Sequence, residues 1–213
     1  MTRIAFVDVD TQVDFMEPGG KLYAQGAERI KPNLARLITF ARERGVPLVS
    51  SVDAHEPGDA EFGEYPPHCL RGTPGQRKVA ETLTGREVIV PDAPAETLPD
   101  PTRVHPVLEK QQFSLFTNQR AEQVIGATGA RELAVFGVVT EVCVRQAVLG
   151  LLERGYAVQV VEDAVWPIDA QGGARALEEM QARGARRTTT DALLAELERE
   201  SLRDSPRAQP CDT

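Results

Sequence analysis

Apolar positions along the chain switch repeatedly between strand-like runs and helix-like spacing. Residues 3–9 (RIAFVDV) read as a buried first strand. Across 28–44, Ile30, Leu34, Leu37, Ile38 and Ala41 recur at helical spacing, and Gly45 supplies a stop. Residues 46–52 (VPLVSSV) form a second strand. The stretch 56–75 is rich in Gly and Pro and has no period, which predicts a long loop. Loops of that length inside a compact domain are usually functional or disordered. Further strands are expected at 87–90, 104–109, 132–138, 158–161 and 186–188. Helices are expected at 119–126, 141–154 (closed by Gly155), 170–183 and 191–199.

Strands that alternate with helices predict a parallel sheet covered on both faces. The expected fold is α/β, a doubly wound three-layer α/β/α arrangement with a mainly parallel sheet of about six strands. A single domain over 1–200 accounts for the pattern, with a polar, frayed tail over 201–213. Ligands of such sheets bind outside the carboxyl ends of the strands. Residues proposed for chemistry should therefore lie just after strands.

Composition narrows the functional classes. The chain has 213 residues, 41% of them hydrophobic, enough for one sizeable core. The formal net charge of −8 disfavours nucleic acid or an anionic membrane as partner, and no basic cluster of the nucleic-acid-binding kind is present. The start of the chain is too short in apolar residues and too acidic for a signal peptide, and no apolar run reaches membrane-spanning length. A cytoplasmic protein is expected. The three cysteines, Cys69, Cys143 and Cys211, suit free thiols in a reducing compartment.

Several reactive side chains fall on one expected sheet edge. Asp10 follows the first strand, Asp53 and His55 the second, Lys110 the strand 104–109, and Cys143 opens the helix after 132–138. A lone cysteine among valines is more often a small buried hydrophobe than a nucleophile. A helix's first turn changes those odds, because unpaired N–H groups and the helix dipole favour thiolate. The same N–H groups can receive an oxyanion. Cys69 lacks a helix start beside it, and Cys211 lies in the tail. Asp10 sits among three aspartates in VDVDTQVDF, where capping a turn would suffice for Asp8 and Asp14. A cysteine nucleophile needs a base; if His55 and His68 bind a metal, only His105 is left among the histidines, and it precedes the catalytic edge. A carboxylate is then the natural base. Lys110 would ordinarily be a solvated lysine; at a central strand's end it could stabilise both a thiolate and a carboxylate. Asp53 and His55 point to one side of an extended segment, with His68, Glu61 and Glu64 following. Such a set suits zinc, iron or manganese, although an isolated D-x-H is weak evidence and by itself reads as surface polar residues in a loop.

Taken in order, DTQVDF, GGKL, VDAHEPGD, PPHCLRGTPG, EKQQFSLF and GVVTEVCVRQAVLGLLERGY resemble the motifs of the isochorismatase-like cysteine hydrolases. The resemblance covers residue 3 to about residue 197. The D-x-H and PPHC pair resembles nicotinamidases in particular. It implies a triad of Asp10, Lys110 and Cys143, and one divalent metal, zinc with iron or manganese as alternatives, held by Asp53, His55 and His68. Glu61 matches a further ligand, with Glu64 second. A cis peptide is implied at Val138–Val139, an oxyanion hole at the N–H groups of Val139 and Cys143, and aromatic walls for a pyridine ring at Phe15 and Tyr65. The implied reaction is nicotinamide hydrolysis to nicotinate and ammonia through a thioester, as in NAD salvage, and homo-oligomers are compatible with it. Tyr65 stands where tryptophan is frequent, Val142 where histidine is frequent, and AVWPID after Asp163 is unusual. Two other readings remain: an amidase for another small amide or carbamoyl compound, separable by an amide panel, and a catalytically inert binding scaffold, separable by thiol labelling.

Overall fold

The computed structural model describes residues 4–95 and 97–204. The apolar runs become seven strands of one sheet: β1 (Ile4–Val9), β2 (Leu48–Asp53), β3 (Glu87–Val90), β4 (His105–Lys110), β5 (Glu132–Val138), β6 (Ala157–Trp166) and β7 (Arg186–Thr188). Their order is β3-β4-β2-β1-β5-β6-β7, and every pairing is parallel. The helices are α1 (Val13–Met16), α2 (Lys31–Arg44), α3 (Ala121–Gly126), α4 (Arg145–Glu153), α5 (Ala170–Ala182) and α6 (Thr190–Asp204). Seven strands replace the expected sheet of about six. Short segments such as β7 count as strands because a neighbour pairs with them, here through Gln159–Arg186 and the two positions after it.

Alternation along β1 explains the three layers. Ile4 and Phe6 pack with Leu34, Leu37, Ile38 and Ala41 of α2 and Leu193 of α6. Ala5, Val7 and Val9 pack on the other face with Val124 and Ile125 of α3, Ala147, Val148 and Leu151 of α4, and Met180 of α5. Each fully buried leucine of this kind contributes about 2 kcal/mol by removal of apolar surface from water. The helices are punctuated as their sequence suggests. Pro32 sits in the first turn of α2, and Gly45 ends it at φ 67°. Asp169 caps α5 by accepting from the N–H groups of Gln171 (3.1 Å) and Gly172 (2.7 Å).

Several expected boundaries shift, and three of the shifts matter most. The helix expected over 28–44 begins as a 3₁₀ turn, Ala27–Ile30, before α2. The expected strand 158–161 extends to Trp166 as β6, past Glu162 and Asp163. Those two acids are satisfied in place: Glu162 accepts from Arg187 (2.8 Å), and Asp163 accepts from the N–H (2.7 Å) and hydroxyl (2.9 Å) of Thr190. The final helix runs to Asp204. Arg3, the remaining tail 205–213 and Cys211 lie outside the described residues.

Candidate active site

Chain order reverses at β1, whose neighbours are β2 on one side and β5 on the other. In open α/β sheets this is where a crevice forms at the carboxyl ends of the strands. Asp10 follows β1 directly, Asp53 and Lys110 end β2 and β4 opposite one another in register, and Cys143 follows β5. The expected residues therefore meet at the switch point.

Asp10 is held at φ 50°, in the left-handed region that disfavours a non-glycine residue by about 1–2 kcal/mol. Its N–H donates to the Ser51 carbonyl at 3.1 Å, and the Ser51 hydroxyl donates to its Oδ1 at 2.7 Å. Its Oδ2 is buried and forms an ion pair with the Lys110 ammonium at 2.8 Å. Lys110 Nζ also donates to Asp53 Oδ1 and lies 3.7 Å from Cys143 Sγ. All four side chains are buried. Burial pushes the Cys143 thiol pKa well up against the pull of Lys110, and the carboxylates of Asp10 and Asp53 add to the rise. Burial also raises Asp10, opposed by Lys110. Asp53 stays below the usual carboxylate range, because Lys110 and His55 outweigh burial. Against burial, the facing acids hold Lys110 charged, well above its ordinary value.

The helix expected to carry Cys143 over 141–154 has a different start. Thr140–Val144 form a turn of π-helix, closed by the Val144 N–H donating to the Val139 carbonyl at 3.2 Å, and α4 follows. The peptide Val138–Val139 is cis.

Beside the triad lies a second cluster. One donor atom each from Asp53, His55 and His68 lie within 4.8 Å of one another, and all three residues are buried. The His55 Nδ1 faces Asp59 Oδ2 at 2.9 Å, and the His68 Nδ1 faces the Pro66 carbonyl at 2.8 Å. Acceptors at both Nδ1 atoms would keep the proton there in the neutral rings, so each Nε2 is the nitrogen that a cation would engage in place of a proton. His55 Nε2 is buried with no hydrogen-bond partner and lies 3.9 Å from Asp53 Oδ2. His68 Nε2 lies 3.7 Å from Glu61 Oε1. Burial lowers the His55 pKa, yet Asp53 and Asp59, with Glu61, carry it up to about 9. An orphaned imidazole nitrogen in a surplus of carboxylates is a donor set that fits a divalent cation. Glu61 reaches this set, whereas Glu64 is exposed on the same loop.

Of the expected aromatic walls, Phe15 is buried with its ring 5.4 Å from that of His68. Tyr65 is half-buried and meets Phe113 edge-on at 6.3 Å, not Phe15. Several neighbours escape the sequence reading. The Phe62 ring lies tilted 5.3 Å from that of His55 and edge-on 5.8 Å from that of His68. Asp59 fixes His55. Gln12 pairs with the backbone of Asp53 as a strand would, donating to its carbonyl (2.8 Å) and accepting from its N–H (2.7 Å), and also donates to the Gln76 carbonyl (2.8 Å). The His55-x₃-Asp59 spacing was the one available signal for Asp59. Cys69 is fully buried, its thiol pKa raised by burial, and its N–H donates to Asp14 Oδ2 at 2.7 Å. His105 lies at the opposite end of β4 from Lys110.

The model of the isochorismatase domain family matches residues 4–192. The nicotinamidase/pyrazinamidase of Mycobacterium tuberculosis is 26% identical over 193 residues, 83% of this chain and 94% of that protein. A probable inactive nicotinamidase of Arabidopsis thaliana is 25% identical over 170 residues, 75% of this chain and 79% of that protein. The pyrazinamidase of Pyrococcus horikoshii, solved in complex with zinc, superposes with a TM-score of 0.74 at 29% identity, covering 88% of this chain and 99% of that one. Matched from β1 into α6, the chain belongs to the isochorismatase family.

Proposed function

We propose that this protein is a cysteine-dependent amidohydrolase that converts nicotinamide to nicotinate and ammonia. The observation that carries the reading is the buried contact of Asp10, Lys110 and Cys143 beside a two-histidine donor set that shares Asp53. Similarity to a nicotinamidase/pyrazinamidase and to a zinc-bound pyrazinamidase supports the choice of substrate.

Asp53, His55, His68 and Glu61 would hold a divalent cation, zinc by its donor preferences, which supplies a Lewis-acidic point for the pyridine nitrogen. Phe15 and Tyr65 flank the ring. Asp10 accepts the Cys143 thiol proton as sulfur attacks the amide carbon, and the N–H groups of Val139 and Cys143 receive the oxyanion. Losing one such donor typically costs about 3 kcal/mol of transition-state stabilisation. Lys110 balances the negative charge that then resides on sulfur and carboxylate. Asp10 returns the proton to the departing ammonia, leaving a thioester on Cys143. It next takes a proton from water, whose attack releases nicotinate and restores the thiol.

Ammonia release from nicotinamide, measured with and without chelator and beside a panel of other primary amides and carbamoyl compounds, tests the reading. Turnover of nicotinamide above the panel, lost with Cys143→Ala, is the expected result. Preference for another amide would keep the chemistry and overturn the substrate. No ammonia from any amide would overturn both.

A further inference from the structure

The triad contains a second set of metal-type donors. One donor atom each from Asp10, Asp53 and Cys143 lie within 4.8 Å of one another, and all three residues are buried. Two carboxylates and a thiolate would suit zinc or cobalt. A cation already stands among them: the Lys110 ammonium touches Asp53 Oδ1, lies 2.8 Å from Asp10 Oδ2 and 3.7 Å from Cys143 Sγ. Asp10 Oδ2 is buried with that ammonium as its ion-pair partner.

We infer that Lys110 fills a built-in cation site and so keeps divalent metal off the nucleophile, and that without its ammonium Asp10, Asp53 and Cys143 form a second metal site. Three features make the exchange chemically reasonable. The carboxylates lose their buried counter-charge when the ammonium goes, so a cation is drawn in. Asp53 already turns Oδ1 to Lys110 and Oδ2 towards His55, and a carboxylate shared between two neighbouring ions is ordinary in two-metal sites. Truncating the long side chain of Lys110 also frees the space its ammonium occupies. Binding would form a sulfur–metal bond and release the Cys143 thiol proton to solvent. The inference takes the neighbouring metal site from the proposed function but does not depend on the substrate.

Cobalt(II) alone is the probe, because a thiolate ligand gives cobalt a near-ultraviolet charge-transfer band that imidazole and carboxylate ligands lack. The wild-type chain is expected to show no thiolate band. Lys110→Ala is expected to show it and to bind about one further equivalent of cobalt than wild type. Lys110→Ala combined with Cys143→Ser should lose both the band and the extra equivalent. Lys110→Ser gives a second route should the alanine variant fold poorly. A thiolate band in the wild type under the same conditions overturns the inference. So does a folded Lys110→Ala or Lys110→Ser that binds no additional cobalt. A wild type that takes no cobalt at all would count against the Asp53–His55–His68 site alone, since the band in the lysine variants reports only on Cys143.

Discussion

Cys143 and Asp10 share a pocket in which burial raises both acidities' thresholds, while Lys110 pulls the other way on each. The resting nucleophile is therefore a thiol, and a carboxylate made more basic by burial is a better acceptor for its proton than an ordinary aspartate. Removing that acceptor should cost rate without removing the fold. Asp10→Asn is expected to lower kcat/KM by about 10²–10⁴-fold, the usual worth of a general base; a loss smaller than tenfold would rule out the role. The triad and the histidines were legible because their residue types follow strands and sit in recognisable motifs. Gln12, Asp59 and Phe62 were not. Gln12 acts through the backbone of Asp53 and Gln76, far away in the chain, and only the His55-x₃-Asp59 spacing hinted at Asp59.

At the scale of elements, the site depends on how closely β1 and β5 approach. Gly137 on β5 adopts φ 121°, and a Cβ there would lie 2.1 Å from the Val9 carbonyl oxygen, one residue before Asp10. Gly137→Ala is expected to destabilise the protein by about 2 kcal/mol or more, through both backbone strain and displacement of β1. Urea denaturation with an unchanged midpoint would contradict that. β3, β5 and β7 match their sequence-read bounds to the residue. β6 ran past its expected end because Glu162 and Asp163 look like a strand terminus until Arg187 and Thr190 supply partners. The π-turn at Thr140–Val144 carries no periodic signature either, since the spacing of its apolar residues fits an ordinary helix.

At the scale of the whole molecule, the buried His105 should make its share of stability fall with acid. His105 is buried, its Nε2 2.7 Å from the Ser50 hydroxyl, within a network that includes Asp8, Lys78 and Glu87. Burial, then Lys78, lowers its pKa to about 4, against the opposing effects of Asp8 and Glu87. The unfolded chain takes up that proton near pH 6.5. The stabilisation is therefore complete above about pH 6.5 and is lost as pH falls towards 4, about 2 kcal/mol of it between pH 7 and 5. Urea midpoints should drop over that interval, and His105→Gln should flatten the slope; an unchanged slope would refute the assignment. Glu87, held down at about 2 against burial by Thr84, its own N–H and His105, adds a further loss between about pH 4.5 and 2. Metal should act on stability too. If Asp53, His55 and His68 bind it only when folded, zinc at a hundred times its Kd should stabilise by about 2.7 kcal/mol. A melting temperature that does not respond to zinc or chelator would remove the site, and His55→Ala should abolish the response.

By itself the sequence determined the alternation of strands and helices, the parallel doubly wound class, and the residue types at the strand ends. These follow from local periodicity and from which side of a strand a reactive residue occupies. Tertiary structure alone decided the strand order that makes β1 the switch point, and the 3.7 Å approach of Glu61 to His68. It also decided that one ammonium touches both carboxylates and approaches the thiol. Those facts depend on distances between residues far apart in the chain, set when apolar faces on both sides of the sheet are buried together, and short-range patterning has no access to them.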